Sequence, residues 1–195
     1  LSGIVEMYHE RKRRGEIDGP EDPTFIMVTG DGGHDIGMGP SIGAAIRNHK
    51  MIILEYDNEG YMNTGNQLSF STPLGHRTST SNVGKAEVGK QFNHKDVAQI
   101  FNGCHVPYIA TGCEAYPLDL VKKAAKAQWY ANNVGTAFVK LLITCPLNWK
   151  TPDDMGKDII KAAVDCCFFP LYEVEQGVTT ITNMVADDKK LPVTE

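Results

Sequence analysis

A chain of 195 residues with 42% hydrophobic and 22% charged side chains is long enough to bury one sizeable core without disulfide or metal staples. Its net charge of −5 argues against nucleic acid as a partner, and no apolar run approaches the roughly 20 residues of a membrane span or resembles a secretory signal. Five cysteines, an odd number that includes the adjacent Cys166 and Cys167, point to reduced thiols in a cytoplasmic protein.

Leu1, Ile4, Val5 and Tyr8 recur at helical spacing and predict an opening helix, with the charged run Glu10 to Arg14 as its solvated end. The chain starts with Leu inside that pattern, so a preceding amino-terminal portion is expected. Gly19, Pro20 and Pro23 lead into a first strand at Thr24 to Thr29, and Met51 to Tyr56 forms a second. Both are nearly continuous apolar runs, as befits strands buried on two faces. Between them lie a glycine turn, GDGGHDIGMGP from Gly30, and a short helix marked by Ile42, Ala45 and Ile46. From Asn58 to Phe92 no periodicity is sustained, which predicts a long functional loop covering a site. Within it Gly84 to Lys90 mimics a phosphate-binding loop, yet Gln91 replaces the hydroxyl residue that would hold a cation and no apolar strand precedes it.

Regular structure then returns. Asn93 is expected to cap a helix carrying Val97, Ile100, Phe101 and Cys104 on one face, followed by a strand at Val106 to Ala110. Pro117 opens a helix expected to turn Leu118, Val121, Ala124 and Ala125 inward and Lys122, Lys123 and Lys126 outward. Thr136 to Thr144 is the longest strand signal and delivers Cys145 to the carboxyl edge of the sheet. Thr151-Pro152-Asp153-Asp154 predicts a capped helix start, with Met155, Ile159, Ile160, Ala163 and Val164 as its buried stripe. Residues 168–195 predict a hairpin, Pro170 to Thr182, placed to embrace a partner subunit, and a loose polar tail with Asp187, Asp188 and Glu195. The alternation of strands and helices predicts a single domain over 1–195, of α/β class with a doubly wound, mainly parallel sheet.

The chemistry concentrates at the carboxyl ends of the first two strands, where such sheets bind ligands. Gly30, Gly32 and Gly33 let backbone amides approach a ligand, and the following helix points its amino end at the same place, which favours phosphate. No Lys or Arg lies between Asp22 and Ile46, and Asp31 puts a negative charge where a phosphate would sit. A bound diphosphate therefore needs a divalent cation between. The amide oxygen of Asn58 and the carbonyl of Gly60 complete a set of hard ligands suited to octahedral Mg²⁺ at about 2.1 Å. His34 is a further candidate contact to diphosphate or substrate. Cys104, Cys113, Cys166 and Cys167 read as small buried apolar residues, and without a CxxC pair the chain alone cannot supply the four thiolates of a cubane cluster.

GDG, with 24 residues between Gly32 and Asp57-Asn58, resembles the Mg²⁺–diphosphate signature of thiamine diphosphate enzymes. DIG at Asp35 to Gly37 and YMNTGNQLSFSTPLG at Tyr61 to Gly75 are similar to the thiamine-binding β subunit of the 2-oxoacid:ferredoxin oxidoreductases. CPLNW at Cys145 to Trp149 resembles that subunit's late iron–sulfur cysteine. The resemblance runs from Leu1 to about Gly177, with one departure: only Gly33 and His34 separate GDG from DIG, where three residues are expected. It implies thiamine diphosphate and Mg²⁺ held by Asp31, Asn58 and Gly60, with Gly30, Gly32, Gly33, His34, Tyr61 and Asn63 around the cofactor. It further implies Asn63 as a hydrogen-bond donor beside the reacting carbon, and Cys145 as one ligand of a [4Fe–4S] cluster completed by the preceding portion. Implied partners are the α-, γ- and δ-type subunits, ferredoxin, a 2-oxoacid such as pyruvate, and coenzyme A. No glutamate here is placed to activate the thiamine pyrimidine ring, so the active site is expected at a subunit interface. Two alternatives stand beside this one: a non-oxidative thiamine diphosphate decarboxylase or synthase, and a non-catalytic nucleotide-binding regulatory domain.

Overall fold

The computed structural model describes residues 1–190; Glu195 and the end of the expected tail lie outside the described residues. A six-stranded sheet runs in the order β1-β2-β4-β3-β5-β6. Its strands are β1 (Ile26–Gly30), β2 (Ile52–Asp57), β3 (Tyr108–Cys113), β4 (Ala137–Leu142), β5 (Tyr172–Glu175) and β6 (Val178–Ile181). The first four are mutually parallel, while β5 pairs antiparallel with β3 and with β6. The hairpin turn at Gln176 and Gly177 has both φ angles positive, 51° and 83°, which gives the tight twist that two-residue hairpins need.

Helices cover both faces, because alternate residues of each buried strand point to opposite sides. On one face Ile53, Ile109 and Phe138 meet α1 (Ser2–Arg13) through Val5, α2 (Asp31–Ile46) through Ala45, and α3 (Val97–Gly103) through Val97, Ala98 and Phe101. On the other, Ile52, Tyr108, Ala137 and Val139 meet Ala127, Tyr130 and Ala131 of α4 (Pro117–Asn133). The short α5 (Pro146–Trp149) follows β4, and α6 (Gly156–Asp165) buries Ile160, Ala163 and Val164 against Cys113, Leu142 and Leu171. The doubly wound, mainly parallel architecture is as expected.

Several local expectations are corrected. The glycine turn after β1 is not a separate turn: α2 begins at Asp31 itself and runs through Pro40, with non-helical angles only at Gly37. Asp96, not Asn93, caps α3, its carboxylate accepting from the Gln99 amide at 3.0 Å. Thr151 caps nothing; Asp153–Met155 form a 3₁₀ turn before α6 starts at Gly156. Asp187–Lys189 likewise form a 3₁₀ turn within the expected loose tail. Among the cysteines, Cys113 is buried as expected, whereas Cys167 is exposed.

The orientation of α4 is the largest departure. Leu118 and Val121, expected inward, are 79% and 65% exposed, and Lys123, expected outward, is 1% exposed. Small Ala127 and Ala131 let the helix approach the sheet closely. The Lys123 ammonium is satisfied by Thr111 O at 2.8 Å, Asp119 at 2.5 Å and the Thr182 hydroxyl at 2.7 Å. A buried cation is tolerated when it is paired and hydrogen-bonded in this way.

Candidate functional site

The carboxyl ends of β1 and β2 open into a cavity of about 600 Å³. Gly30, Asp31, Gly32 and Gly33 line it from the start of α2, Asn58 and Gly60 from the segment after β2, and Tyr61 and Asn63 from the loop beyond. Eight of the nine residues expected to surround the cofactor are thus brought together. The first amides of α2 have no partner within their own helix and carry the positive end of its dipole, so they favour an anion in this cavity.

The two glycines in that first turn are there for want of space. A Cβ on Gly32 would collide with the Tyr61 ring, and one on Gly33 with the Thr29 hydroxyl. Tyr61 is held by hydrogen bonds from its hydroxyl to Gly32 O at 3.3 Å and to Asp35 at 3.2 Å, and burial beside Asp35 pushes its phenol up to about 12.

Oxygen atoms gather at one point of the cavity wall. The terminus of the Asn58 side chain lies 3.3 Å from Asp31 Oδ1 and 2.9 Å from Gly60 O. With its nitrogen turned inward the amide donates to both. With its oxygen inward, carboxylate, amide and carbonyl oxygens converge, which is the donor set a hard divalent cation takes. The carboxyl of Asp31 is raised to about 6 by burial and by the nearby Asp57 carboxylate, and that of Glu59 to about 8 for the same two reasons. The local surplus of buried negative charge is eased by Lys140, 2.7 Å from Asp57 and 3.6 Å from Glu55. Burial pushes the Lys140 ammonium down, but the Asp57 and Glu55 carboxylates outweigh it and hold it charged.

His34 is corrected. It is 1% exposed and its ring is turned away from the cavity, paired with Glu55 and packed edge-on against Phe101 and Phe138. Because α2 begins at Asp31, the third residue on already faces the sheet.

The long loop does more than cover. Met62, Asn63 and Thr64 line the cavity, but the chain behind them braces it from within. Ser69 donates to Asp31 at 2.5 Å, Thr72 to Glu59 O at 2.6 Å, and the Phe70 amide to Asp35 at 2.9 Å. Lys95 donates to Asp31 O at 2.5 Å and pairs with Asp35, so that one carboxylate ties α2, Tyr61 and the loop's far end together. Gly84–Lys90 forms no phosphate cradle; Val83 bridges Val88, and the Lys90 ammonium donates to Phe70 O at 3.0 Å.

Cys145 stands where β4 ends, half-buried, at the amino end of α5. Among the described residues no three His, Cys, Asp or Glu side chains gather as a metal site, so the one thiol does not fit a cluster by itself. The rest of the CPLNW word serves the cavity directly. Leu147 lines it, and Asn148 Nδ2 and Trp149 Nε1 each donate to Asn58 O at 3.2 Å. Sequence reasoning missed these three, together with Asp35 and Lys95; the position of CPLNW just past a strand end was the available signal.

No described helix is long and apolar enough to cross a membrane. The chain matches the family described as "Thiamine pyrophosphate enzyme, C-terminal TPP binding domain" over residues 16–141, which include β1, β2, both oxygen-bearing segments and the loop between. It is 40% identical over 183 residues to the pyruvate synthase subunit PorB of Thermotoga maritima, covering 93% of this chain and 56% of that one. The PorB subunit of Methanocaldococcus jannaschii is 37% identical over 195 residues, covering 100% and 64%. The ketoisovalerate oxidoreductase subunit VorB of Pyrococcus horikoshii is 37% identical over 163 residues, covering 83% and 51%. This chain therefore spans between half and two thirds of the length of these relatives. A solved 2-oxoglutarate:ferredoxin oxidoreductase from Magnetococcus marinus, with 2-oxoglutarate, coenzyme A and succinyl-CoA bound, shares the fold with a TM-score of 0.58 at 19% identity, covering 87% of this chain and 57% of that one. The family match falls on the strand, glycine and helix that build the cavity, which excludes the reading as an unrelated regulatory nucleotide-binding domain: the chain belongs to the thiamine pyrophosphate enzymes, in the family of their C-terminal TPP-binding domain.

Proposed function

We propose that this chain is the cofactor-binding part of the β subunit of a 2-oxoacid:ferredoxin oxidoreductase acting on pyruvate or a close 2-oxoacid. The observation that carries the reading is the meeting of Asp31, Asn58 and Gly60 oxygens beside the free amides of α2. Those oxygens would hold Mg²⁺, and the amides of Gly32 and Gly33 the diphosphate. When bound, thiamine diphosphate supplies the carbanion and electron-sink chemistry that oxidative decarboxylation needs.

This chain's own contribution is anchorage and exclusion of water. Tyr61, fixed by Asp35, closes one wall, and Ile36, Tyr56, Met62 and Leu147 make the lining apolar. Asn63, exposed on the NTG turn and facing the same cavity, would donate a hydrogen bond to the substrate. Partner α-, γ- and δ-type subunits would close the open side, coenzyme A would accept the acyl group, and ferredoxin the electrons. The [4Fe–4S] centres such electrons require would need thiols beyond Cys145, and no electron-transfer step is assigned to this chain. The cytoplasm keeps its five free cysteines reduced.

The test is reduction of ferredoxin or a viologen dye by the intact assembly with pyruvate, with and without added thiamine diphosphate and Mg²⁺. Cofactor-dependent reduction is expected, with Asn63→Ala lowering turnover but not cofactor affinity. Cofactor-dependent carbon dioxide release without any reduction of acceptor would replace this reading with the non-oxidative one.

A further inference from the structure

The two carboxylate oxygens of Asp31 have different partners. Oδ1 lies 3.3 Å from the terminus of the Asn58 side chain. Oδ2 accepts a hydrogen bond from the Ser69 hydroxyl at 2.5 Å. A hydroxyl has one proton to give, and the neighbouring groups decide where this one goes. The Ser71 amide donates to Ser69 Oγ at 3.1 Å, and the Thr72 hydroxyl donates to Glu59 O at 2.6 Å. Thr72 Oγ1, 3.5 Å from Ser69 Oγ, is too distant to compete with Asp31 as the acceptor. The Ser69 proton therefore belongs to Oδ2.

The turn that carries Ser69 is closed and buried. The Thr72 amide donates back to Ser69 O at 3.2 Å, and the Ser69 amide donates to Thr72 Oγ1 at 2.9 Å. Ser69, Ser71 and Thr72 are buried, and so is Lys90, whose ammonium donates to the carbonyls of Phe70 and Thr72. One turn thus grips both halves of the anchor, Asp31 through Ser69 and the segment carrying Asn58 and Gly60 through Thr72. Mg²⁺ and Ca²⁺ take the same kinds of oxygen ligand, and selection between them rests on the size, ligand number and flexibility of the cage. Mg²⁺ demands octahedral oxygens at about 2.0–2.1 Å, whereas Ca²⁺ accepts about 6–8 at about 2.3–2.6 Å and often takes both oxygens of one carboxylate.

We propose that Ser69 is a positioning residue that makes the anchor select Mg²⁺ over Ca²⁺. By holding Oδ2 it limits Asp31 to one oxygen toward the cation, and the turn from Ser69 to Thr72 fixes the two halves of the anchor against each other. Turning both oxygens to a cation would strip the buried Ser69 hydroxyl of its acceptor, which costs free energy. The inference rests on the reading of Asp31, Asn58 and Gly60 as the cation anchor, and adds which cation that anchor prefers and the residue that sets the preference.

The test is calorimetric titration of the chelator-treated intact assembly with Mg²⁺ and, separately, with Ca²⁺, in the presence of excess thiamine diphosphate. Native protein is expected to bind Mg²⁺ the more tightly. Ser69→Ala is expected to weaken Mg²⁺ about tenfold while weakening Ca²⁺ less, so that the ratio of the two affinities moves toward Ca²⁺. Ser69→Cys, which keeps a weak donor, is expected to fall between. A general loosening of the fold would weaken both cations by the same factor, so the ratio separates positioning from a structural role. Where Ser69→Ala does not assemble, the native preference and Ser69→Cys decide. The proposal is overturned if native protein does not prefer Mg²⁺ or if the substitution leaves the ratio unmoved; the anchor itself then stands as long as thiamine diphosphate binding still requires a divalent cation. If neither cation supports thiamine diphosphate binding to native protein, the anchor falls and the proposal with it.

Discussion

Replacing Lys140 with methionine removes a cation set beneath the cofactor cavity, paired with Asp57 and Glu55, while keeping most of the side-chain volume. The Lys140 side chain is 12% exposed, and the carboxylates it serves are less so: Asp57 at 3% and Glu55 at 0%. Breaking a buried pair leaves uncompensated charge and costs about 3–5 kcal/mol, which for a chain of this length lowers the melting temperature by about 6–20 °C. The loss has a pH signature. Lys140 holds down the already raised carboxyl of Glu59, about 8; without it that carboxyl rises further above its unfolded value, so the unfolded state binds fewer protons and the penalty grows as pH rises. Denaturant unfolding of native protein and Lys140→Met at pH 5 and pH 8 measures both effects, and adding Asp57→Asn is expected to recover part of the loss. A penalty below about 1 kcal/mol, or one independent of pH, would refute the view that Lys140 neutralises this cluster.

Gly32→Ala drives a methyl into the Tyr61 ring; overpacking of this kind costs about 1–3 kcal/mol, and displacement of Tyr61 should weaken cofactor binding, both measurable by calorimetry. In the absence of divalent cation, the raised carboxyls of Asp31, about 6, and Glu59, about 8, favour the folded state at low pH. Their contribution is complete below the ordinary carboxylate range and is lost as pH rises through those values, so the melting temperature should fall between pH 5 and pH 9. Mg²⁺ should flatten that slope by compensating the ionised Asp31, and a slope unaltered by Mg²⁺ would count against the cation site.

What could be read from the sequence was local. Gly30 to Gly33 and Asp57-Asn58 each follow an apolar run, and parallel pairing of β1 with β2 necessarily sets their carboxyl ends side by side. The doubly wound architecture followed from the same alternation of strand and helix. What escaped depended on rotation or on distance along the chain. His34 lies three residues past Asp31, and only the starting point of α2 decides which way it faces. The amphipathic pattern of α4 was ambiguous between two faces until its alanines met the sheet and Lys123 found three oxygen partners. The pairing of Asp35 with Lys95 spans 60 positions, and the bond from Trp149 to Asn58 spans 91. No local pattern encodes either. The word CPLNW draws attention through its cysteine, whereas in the structure Asn148 and Trp149 brace Asn58 and Leu147 lines the cavity.

The most direct test of the cation-bridged diphosphate anchor is calorimetric titration of the intact assembly with thiamine diphosphate, with and without Mg²⁺, for native protein and Asp31→Ala. Binding that requires Mg²⁺ and is abolished by the substitution is predicted. Binding that is indifferent to Mg²⁺, or that survives in Asp31→Ala with unchanged affinity, would contradict the assignment of Asp31, Asn58 and Gly60 as the anchor.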